Sequence, residues 1–454
     1  MYQHVLCVYP YREDIKDTPY IPPVGLELIA TALEPHCREV EVVDLRHESA
    51  ETADFLRSDT DMVCFSVNWE KDDDFIRSQI CCVPDSVLTI VGGRHATQDP
   101  PEWFRRCPGV DIIVRGDGEE AIREIARQLP LSDIRGISWR QNGKVVHNPN
   151  RQLGSVADDL YPNRQLRRCN YRLSVAGVEL PLSVDAASTS RGCPFNCKFC
   201  SFSRNPWGEK RPWSARSPES VVRELEETDA DIIVFVDDNF THDMDRVDAI
   251  CRLIIKRGIK KYFLANARLE VARRMDVVRM MERAGFFALL LGIESAHDKT
   301  LRSMNKGFTR RQIEEYMGAL RHSRIIMHGY FILGNIGETE EEMLETGPFA
   351  RAIGLDTLSL STLRSVPYDG LRELVEQTPG YHIRSDGLVC SDAIPRKRLR
   401  QLRRRITRGF YRPLHVAGVV RKFAERGLFT PSMLARLAQR KALMHLGLSR
   451  GIAR

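Results

Sequence analysis

At 454 residues, 43% of them hydrophobic and 28% charged, the chain is long enough for two or three domains with full-sized cores and too well mixed in composition to be disordered or fibrous. It has no run of about 18 apolar residues, which excludes a membrane-spanning helix. Its formal net charge of +6 hides an asymmetry, because residues 396–454 carry 17 Lys and Arg against one acid, Glu425, so a mildly acidic body bears a strongly basic tail. The opening MYQHVLCVYPYRED shows no basic start, long apolar stretch or small-residue cleavage site, and a cytoplasmic location is the expectation.

In chain order, residues 1–135 alternate strand and helix. Apolar runs at 4–10, 39–45, 62–68, 87–93 and 110–116 predict buried parallel strands. Pro22-Pro23 opens a helix with Val24, Leu28, Ile29 and Leu33 on its apolar face, and DDFIRSQI and EEAIREIARQL read as further helices. The pattern predicts an α/β, Rossmann-like, doubly wound sheet. Ligands of such sheets bind at the carboxyl ends of the strands, here near Ser66, Gly92-Gly93 and Gly116. Residues 136–182 read as a hairpin with Asn142-Gly143 as a type I′ turn, followed from 158 by a polar, loop-rich connector.

From 183 to 375 the alternation restarts, with strands in SVDAASTS, IIVFVDDNF, KYFLANARLE, FALLLGIES, RIIMHGYFILG and LDTLSLSTL. Ser217 and Pro218 start a helix, Thr309 with Gln312 and Thr339 with Glu342 form capping boxes, and Gly258 and Gly285 stop helices. Six such units predict a partial or complete parallel barrel with its chemistry at the carboxyl face. Residues 376–454 read as a separate basic helical region, with Leu399, Leu402, Ile406 and Phe410 on one stripe. That stripe suits packing on the barrel with the basic face in water. An anionic membrane surface or a lipid-like substrate is the second reading, and nucleic acid is disfavoured because no binding module accompanies the charge.

The twelve cysteines are expected to be mostly reduced. Cys7, Cys37, Cys64, Cys107, Cys169, Cys251 and Cys390 are scattered and suit small buried hydrophobes; Cys81-Cys82 is an adjacent pair in a loop-like stretch with no evident role. Only Cys193, Cys197 and Cys200 cluster, within SRGCPFNCKFCSF. Three thiolates on one tight loop can ligate three irons of a cubane and leave the fourth iron open, and an open metal position is where a cosubstrate is activated. Zinc would want a fourth ligand, and the first histidine downstream, His242, lies far along the chain. A disulfide is disfavoured by compartment and by the odd count.

Cys193-x3-Cys197-x2-Cys200, with Phe199 just before the last cysteine, resembles the signature of the radical S-adenosylmethionine (SAM) superfamily. Later segments match that family in order. Val236-Asp237-Asp238-Asn239-Phe240 resembles its second-strand motif, Asn266-Ala267-Arg268 the third, and Gly292-Ile293-Glu294-Ser295 the fourth. Gly334-Asn335-Ile336-Gly337-Glu338-Thr339 resembles the fifth, with Ile336 where proline is usual, while residues 365–370 are a degraded version of the last-strand motif. The resemblance implies a 4Fe-4S cluster held by the three cysteines and SAM bound by Phe199, Asp237, Asn239, Arg268, Gly292, Glu294, Ser295 and Gly334. Asp237-Asp238 would be a site-facing polar turn and Arg268 a carboxylate partner, with Ser190 and Arg191 shaping the loop. An external electron donor such as flavodoxin or ferredoxin would reduce the cluster, which cleaves SAM to a 5′-deoxyadenosyl radical that abstracts hydrogen from substrate.

Val91–Thr97 and Val114–Glu120 resemble the cobalamin-binding domain that precedes many radical SAM domains, and Ser66 fits the same pattern. Ser66, Gly92, Gly93, His95, Gly116 and Gly118 would then form the cobalamin cradle, the glycines letting backbone approach the macrocycle. None of the twelve histidines has Asp two residues before it, so the Asp-x-His-x2-Gly ligand motif is absent and His95 would orient the loop rather than ligate cobalt. A degenerate domain that has lost cobalamin is the alternative. The resemblance implies cobalamin-dependent methyl transfer to an unactivated carbon of a lipid-like, tetrapyrrole or other natural-product substrate. Non-methylating cyclisation, rearrangement or oxidation is the alternative outcome. An RNA methylthiotransferase would use Cys7, Cys37 and Cys64 or Cys81 for a second cluster, but no β-rich RNA-binding domain follows. A non-catalytic iron–sulfur redox protein would not bind SAM. No general base stands out.

Overall fold

The computed structural model describes residues 1–433 apart from 13–20, 70–72, 176–177, 201–203, 206, 366–369, 429 and 431. The first part of the chain runs β1 (Tyr2–Tyr9), α1 (Val24–Leu33), β2 (Cys37–Asp44), α2 (Thr52–Phe55), β3 (Thr60–Ser66), α3 (Asp73–Cys81), β4 (Leu88–Gly92), α4 (Arg94–Gln98), α5 (Pro100–Arg106), β5 (Ile112–Val114), α6 (Glu119–Ala126), β6 (Ile137–Gln141) and β7 (Lys144–His147). These strands form one sheet in the order β2-β1-β3-β4-β5-β6-β7. The first five are parallel, and β6 and β7 add on antiparallel. The expected strands read as unbroken apolar runs because both faces of the sheet are covered, and Val5–Val8, Met62, Val63, Val91 and Ile113 are almost fully buried. The hairpin turns at Asn142 and Gly143, both with positive φ as a type I′ turn needs. It is the edge of this sheet and belongs to the first domain rather than to the connector.

The second part runs β8 (Tyr171–Val175), β9 (Val178–Ala187), β10 (Ser190–Arg191), β11 (Ser214–Ala215), α7 (Pro218–Glu227), β12 (Ile232–Phe235), α8 (Met244–Arg257), β13 (Tyr262–Ala267), α9 (Met275–Ala284), β14 (Phe286–Glu294), α10 (Asp298–Ser303), α11 (Arg310–Leu320), β15 (Ile326–Leu333), α12 (Glu340–Ala352), β16 (Thr357–Thr362), α13 (Leu371–Glu376), β17 (Tyr381–Ile383), β18 (Val389–Ser391), α14 (Arg396–Phe410) and α15 (Pro413–Glu425). The main sheet, β16-β15-β14-β13-β12-β9-β8, has six parallel strands and β8 antiparallel at one edge, and among the described residues it does not close. It is a partial barrel. The end of the expected connector is therefore strand: β8 pairs with the start of β9, where Pro181 and polar residues obscure the alternation.

Alternation along β12 shows the two faces. Ile233 and Phe235 join the core beneath the helices, whereas Ile232 and Val234 join a separate cluster on the other face with Val24 and Leu28 of α1 and with Leu428. The capping boxes at Thr309 and Thr339 form, and Gly258 and Gly285 end their helices with positive φ. Leu399, Leu402, Ile406 and Phe410 of α14 join the helix-side core, and Gly347 of α12 lets Ile406 approach. Helix α14 thus covers the barrel after β16, with α13 and the β17–β18 hairpin as an excursion before it. The boundary expected at 375 falls inside this sixth strand–helix unit. Most of the degraded last-strand segment, 366–369, and the tail from 434 lie outside the described residues. Among the described residues no helix is long and apolar enough to cross a membrane.

Candidate active site

The cysteine loop leaves β10 through Gly192, whose φ is +85 and where a Cβ would stand 2.5 Å from the Pro212 carbonyl oxygen. Two carboxylates at the end of β12 hold its entry. Asp237 accepts from the Thr189 amide at 2.6 Å, the Thr189 hydroxyl at 2.5 Å and the Ser190 hydroxyl at 2.6 Å, and Asp238 accepts from the Gly192 amide at 2.8 Å. Burial pushes both carboxyls up, and these hydrogen bonds pull them back toward the ionised form. Where sequence suggested that Asp237 faces SAM, its oxygens are engaged by the loop entry and it is 1% exposed.

The far side of the loop is gripped by the segment after α10. The Lys198 amide donates to the Met304 carbonyl (3.0 Å) and Asn305 Nδ2 to the Asn196 carbonyl (2.9 Å). Arg268 stacks on Phe195 with its guanidinium carbon 3.6 Å from the ring centroid, and its Nη1 lies 3.8 Å from Cys197 Sγ. Its carboxylate partner in the fold is Glu270, at 2.9 Å, and its Nη2 donates to the Lys306 carbonyl at 2.8 Å.

Cys193, Cys197 and Cys200 are all partly exposed, and the Cys200 amide donates to the Cys197 carbonyl. Burial pushes the Cys193 thiol up, and negative charge on Cys200 and Cys197 pushes in the same direction, which places the three thiols in one electrostatic neighbourhood. Among the described residues no three Cys, His, Asp or Glu side chains converge closely enough for one metal ion. Three thiols on one short loop supply the donor set a cluster needs, one thiolate at each of three irons.

Other expected SAM residues ring the strand ends beside this loop. Phe199 packs with Met304, Ile332 and Ile336. Gly292 and Glu294 sit at an irregularity in the β14–β15 ladder. Ser295 is buried and accepts from the His297 amide. Asn239 is buried, with Thr241 as its hydrogen-bond partner. Gly334 has φ +76, and its amide donates to Glu338 Oε2 at 2.8 Å, which also accepts from the Asn335 amide at 3.0 Å. Glu338 therefore ties down the turn that carries Ile336. Sequence reading missed this role and also Lys306, which is buried against Glu294; a lysine so far from water is a signal only once the fold is known.

Between the two sheets lies a cleft with about 1450 Å³ of unfilled space, mouth included, walled by Ser66, Gly92, Gly93, Gly116 and Gly118 on one side and by Ser188, Arg191, Arg211 and Asp238 on the other. Gly93 has φ +102, and a Cβ there would stand 2.5 Å from the Val67 carbonyl oxygen; at Gly116 it would stand 2.9 Å from Trp207. Such positions let backbone form the wall itself, as a bulky flat ligand needs. Arg211 pairs with Asp117, and Arg191 with Glu119 and Asp117, across the cleft's rim. His95 is not brought to this site. It lies on the opposite side of α4 from Thr97, its Nε2 3.5 Å from Asp73 and its ring edge-on to Trp103. Adjacent residues of a helix point about 100° apart, which is why a match to the loop did not place its side chain.

Residues 187–349 match the Radical SAM superfamily model and residues 15–126 the B12 binding domain model. A relative described as an uncharacterized methyltransferase, from Pyrococcus horikoshii, is 31% identical over 367 residues, 77% of this chain and 77% of its own. The chain belongs to the radical SAM superfamily, in the branch with a B12-binding domain. The anaerobic magnesium-protoporphyrin IX monomethyl ester cyclase of Rubrivivax gelatinosus is 27% identical over 63% of this radical SAM chain, and the hopanoid C-3 methylase of Methylococcus capsulatus is 27% identical over the same share. The alignments span 53% and 55% of those proteins, about half their length. The fold is shared with the radical S-adenosylmethionine methyltransferase TsrM of Kitasatospora setae, solved with cobalamin and a 4Fe-4S cluster bound (TM-score 0.68, 19% identity, 95% of this chain and 92% of that one). It is shared also with the cobalamin-dependent S-adenosylmethionine radical enzyme OxsB (TM-score 0.63, 17% identity, 86% and 64%). This radical SAM chain is therefore an enzyme.

Proposed function

We propose that the enzyme moves a methyl group from SAM, by way of cobalamin, onto an unactivated carbon of a small lipid-like, tetrapyrrole or other natural-product substrate. One observation carries this reading: Asp238 lines the interdomain cleft while holding the Gly192 amide next to Cys193, so the two cofactor regions share a wall. When bound, the cluster supplies the electron that cleaves SAM and cobalamin carries the methyl group. The chain's own part is positional. Cys193, Cys197 and Cys200 hold the irons, Asp237 and Arg268 fix the loop that bears them, and Gly92, Gly93, Gly116 and Gly118 leave room at the strand ends.

The barrel face turned away from the helices offers a substrate wall. His328 bridges the Thr357 hydroxyl (2.8 Å, from Nδ1) and the Ser359 hydroxyl (3.1 Å, from Nε2), with Tyr330 edge-on beside it and 37% exposed. Burial pushes His328 down to about 4, so it is neutral at physiological pH. This wall suits a substrate with uncharged polar groups. The basic face of α14, with Leu414 exposed nearby in α15, suits a lipid-like substrate met at an anionic membrane surface.

Anaerobically purified protein supplied with cobalamin tests the proposal. About four irons and one cobalt per chain, with S-adenosylhomocysteine and 5′-deoxyadenosine both formed from SAM under reduction in the presence of substrate, is the expected result. Formation of neither product would overturn it. 5′-Deoxyadenosine alone, without cobalt, would favour cyclisation or oxidation, the reading supported by the likeness to the magnesium-protoporphyrin cyclases.

A further inference from the structure

Helix α14 carries a charge pattern that works against the helix itself. Its first turn holds Arg396, Lys397 and Arg398 and no acid, at the end where the macrodipole favours negative charge. Arg400, Arg404 and Arg408 follow at intervals of four, a spacing at which like charges destabilise a helix. The helix forms because Leu399, Leu402, Ile406 and Phe410 are buried along its other side. A rotation of about 100° per residue puts Lys397, Arg400, Arg404 and Arg408 in one stripe opposite those four, and all are exposed. The acids nearby are already engaged, Glu340 by Arg398 at 2.6 Å and Asp386 by Arg396 at 3.8 Å, and among the described residues none pairs with the stripe. No Asp or Glu follows Glu425 in the sequence.

The stripe runs into a turn that exposes apolar surface. Arg412 and Leu414 are both exposed where α14 gives way to α15, Leu414 at 89%, and Val416 follows at 40%. No residue of α15 is buried. That helix is held by His415 Nε2 donating to the Asp356 carbonyl at 2.8 Å and by Lys422 on the Asp356 carboxylate at 2.7 Å. The rings of this region turn inward. Phe410 is fully buried, the Tyr411 hydroxyl donates to the Leu358 carbonyl at 3.1 Å, and the Phe423 ring lies 6.5 Å from that of Phe287. Among the described residues of α14 and α15, the bases of a nucleic acid would therefore find no exposed ring to stack on. An exposed leucine at the end of a row of unpaired cations is instead what a bilayer with negative headgroups takes up.

We propose that α14 and the start of α15 form a docking face for an anionic phospholipid bilayer. The basic stripe meets the headgroups and Leu414 enters the acyl boundary. The face is part of the barrel wall, because on the inner side of the same helix Leu399 packs against Gly334 at the end of β15. The docked helix thus lies beside the rim of the site. The proposal deepens the lipid-like reading of the substrate given above and rests on it for its purpose.

The test is co-sedimentation of full-length, cluster-loaded protein, without SAM or substrate, with vesicles of phosphatidylcholine alone or with about one third phosphatidylglycerol. Binding to the anionic vesicles only is expected, weakening at least about tenfold as salt rises from about 0.05 to 0.5 M. R400Q/R404Q/R408Q should bind at least about tenfold more weakly and L414S at least about threefold, each with the iron content and circular dichroism of the parent. Equal binding to neutral vesicles, or a triple variant within about twofold of the parent, would overturn the proposal. So would tighter binding to RNA than to the vesicles that L414S leaves unchanged, which would make this a nucleic-acid face. Should the triple variant misfold, L414S decides: weakened vesicle binding supports the face, and parent-like binding overturns it. Vesicle binding by protein that transfers no methyl group would bring down the reading above and support the docking face. Methyl transfer by protein that ignores anionic vesicles would overturn the docking face and spare that reading.

Discussion

Gly93 shows how closely a single residue ties the backbone to the cleft. With φ +102 and the Val67 carbonyl oxygen 2.5 Å from any added Cβ, G93A is expected to cost about 1–3 kcal/mol. Urea unfolding reads this out, and an unchanged midpoint would mean that the turn relaxes freely. His328 gives a pH-dependent counterpart. Because burial pushes it down to about 4, below the ordinary value near 6.5, the unfolded chain takes up a proton between those pH values that the folded chain refuses. Stability contributed above pH about 6.5 is lost as pH falls toward about 4, by a few kcal/mol at most. H328N should flatten that part of the stability curve, whatever it costs at pH 8, in denaturation series run across the window. Cysteine spacing and strand-end glycines were readable because both are local patterns. The tasks of Asp237 and Arg268 were not, since their partners at Thr189 and Cys197 lie 48 and 71 residues away along the chain.

At the scale of elements, α14 carries the sharpest lesson. Its apolar stripe was legible, but its basic composition and its distance from β16 made it look like an appendage, when in the fold it covers the barrel. L402A is therefore expected to cost about 2–5 kcal/mol, as a core cavity does, while R404Q on the exposed face should stay within about 0.5 kcal/mol. Thermal melts of the two variants check this contrast, and equal small effects would return α14 to the status of a tail. Strand β8 and the start of β9 were hidden for a different reason. Their pairing depends on the adjoining sheet rather than on alternation, and Pro181 lies within the strand.

For the whole molecule, the arginines of the linking segment matter most. Arg167 meets Asp185 at 2.8 Å and Glu27 at 3.4 Å, Arg164 meets Asp185 at 3.0 Å and Glu224 at 2.7 Å, and the Tyr171 hydroxyl donates to Asp44 at 3.0 Å. Residues that read as a polar linker are thus rivets between domains, a role invisible in sequence because the acids come from α1, β2, β9 and α7. R167A leaves the Glu27 and Asp185 carboxylates buried beside one fewer cation and should cost about 3–5 kcal/mol. Fluorescence and circular dichroism followed through the same urea series should then show the two domains parting at different midpoints.

The cleft with walls from both domains has a thermodynamic corollary. A molecule that touches both walls can be held tightly only while the domains stay together, so its binding is coupled to their association. By mass action the loaded protein gains RT ln(1 + [L]/Kd), about 2.7 kcal/mol at a hundredfold excess over Kd. The melting temperature should accordingly climb with each addition of cobalamin, and protein produced without the vitamin should be the form that proteases cut first. Cofactor supply during expression would then set how much enzyme survives in a cell as well as how much of it is active.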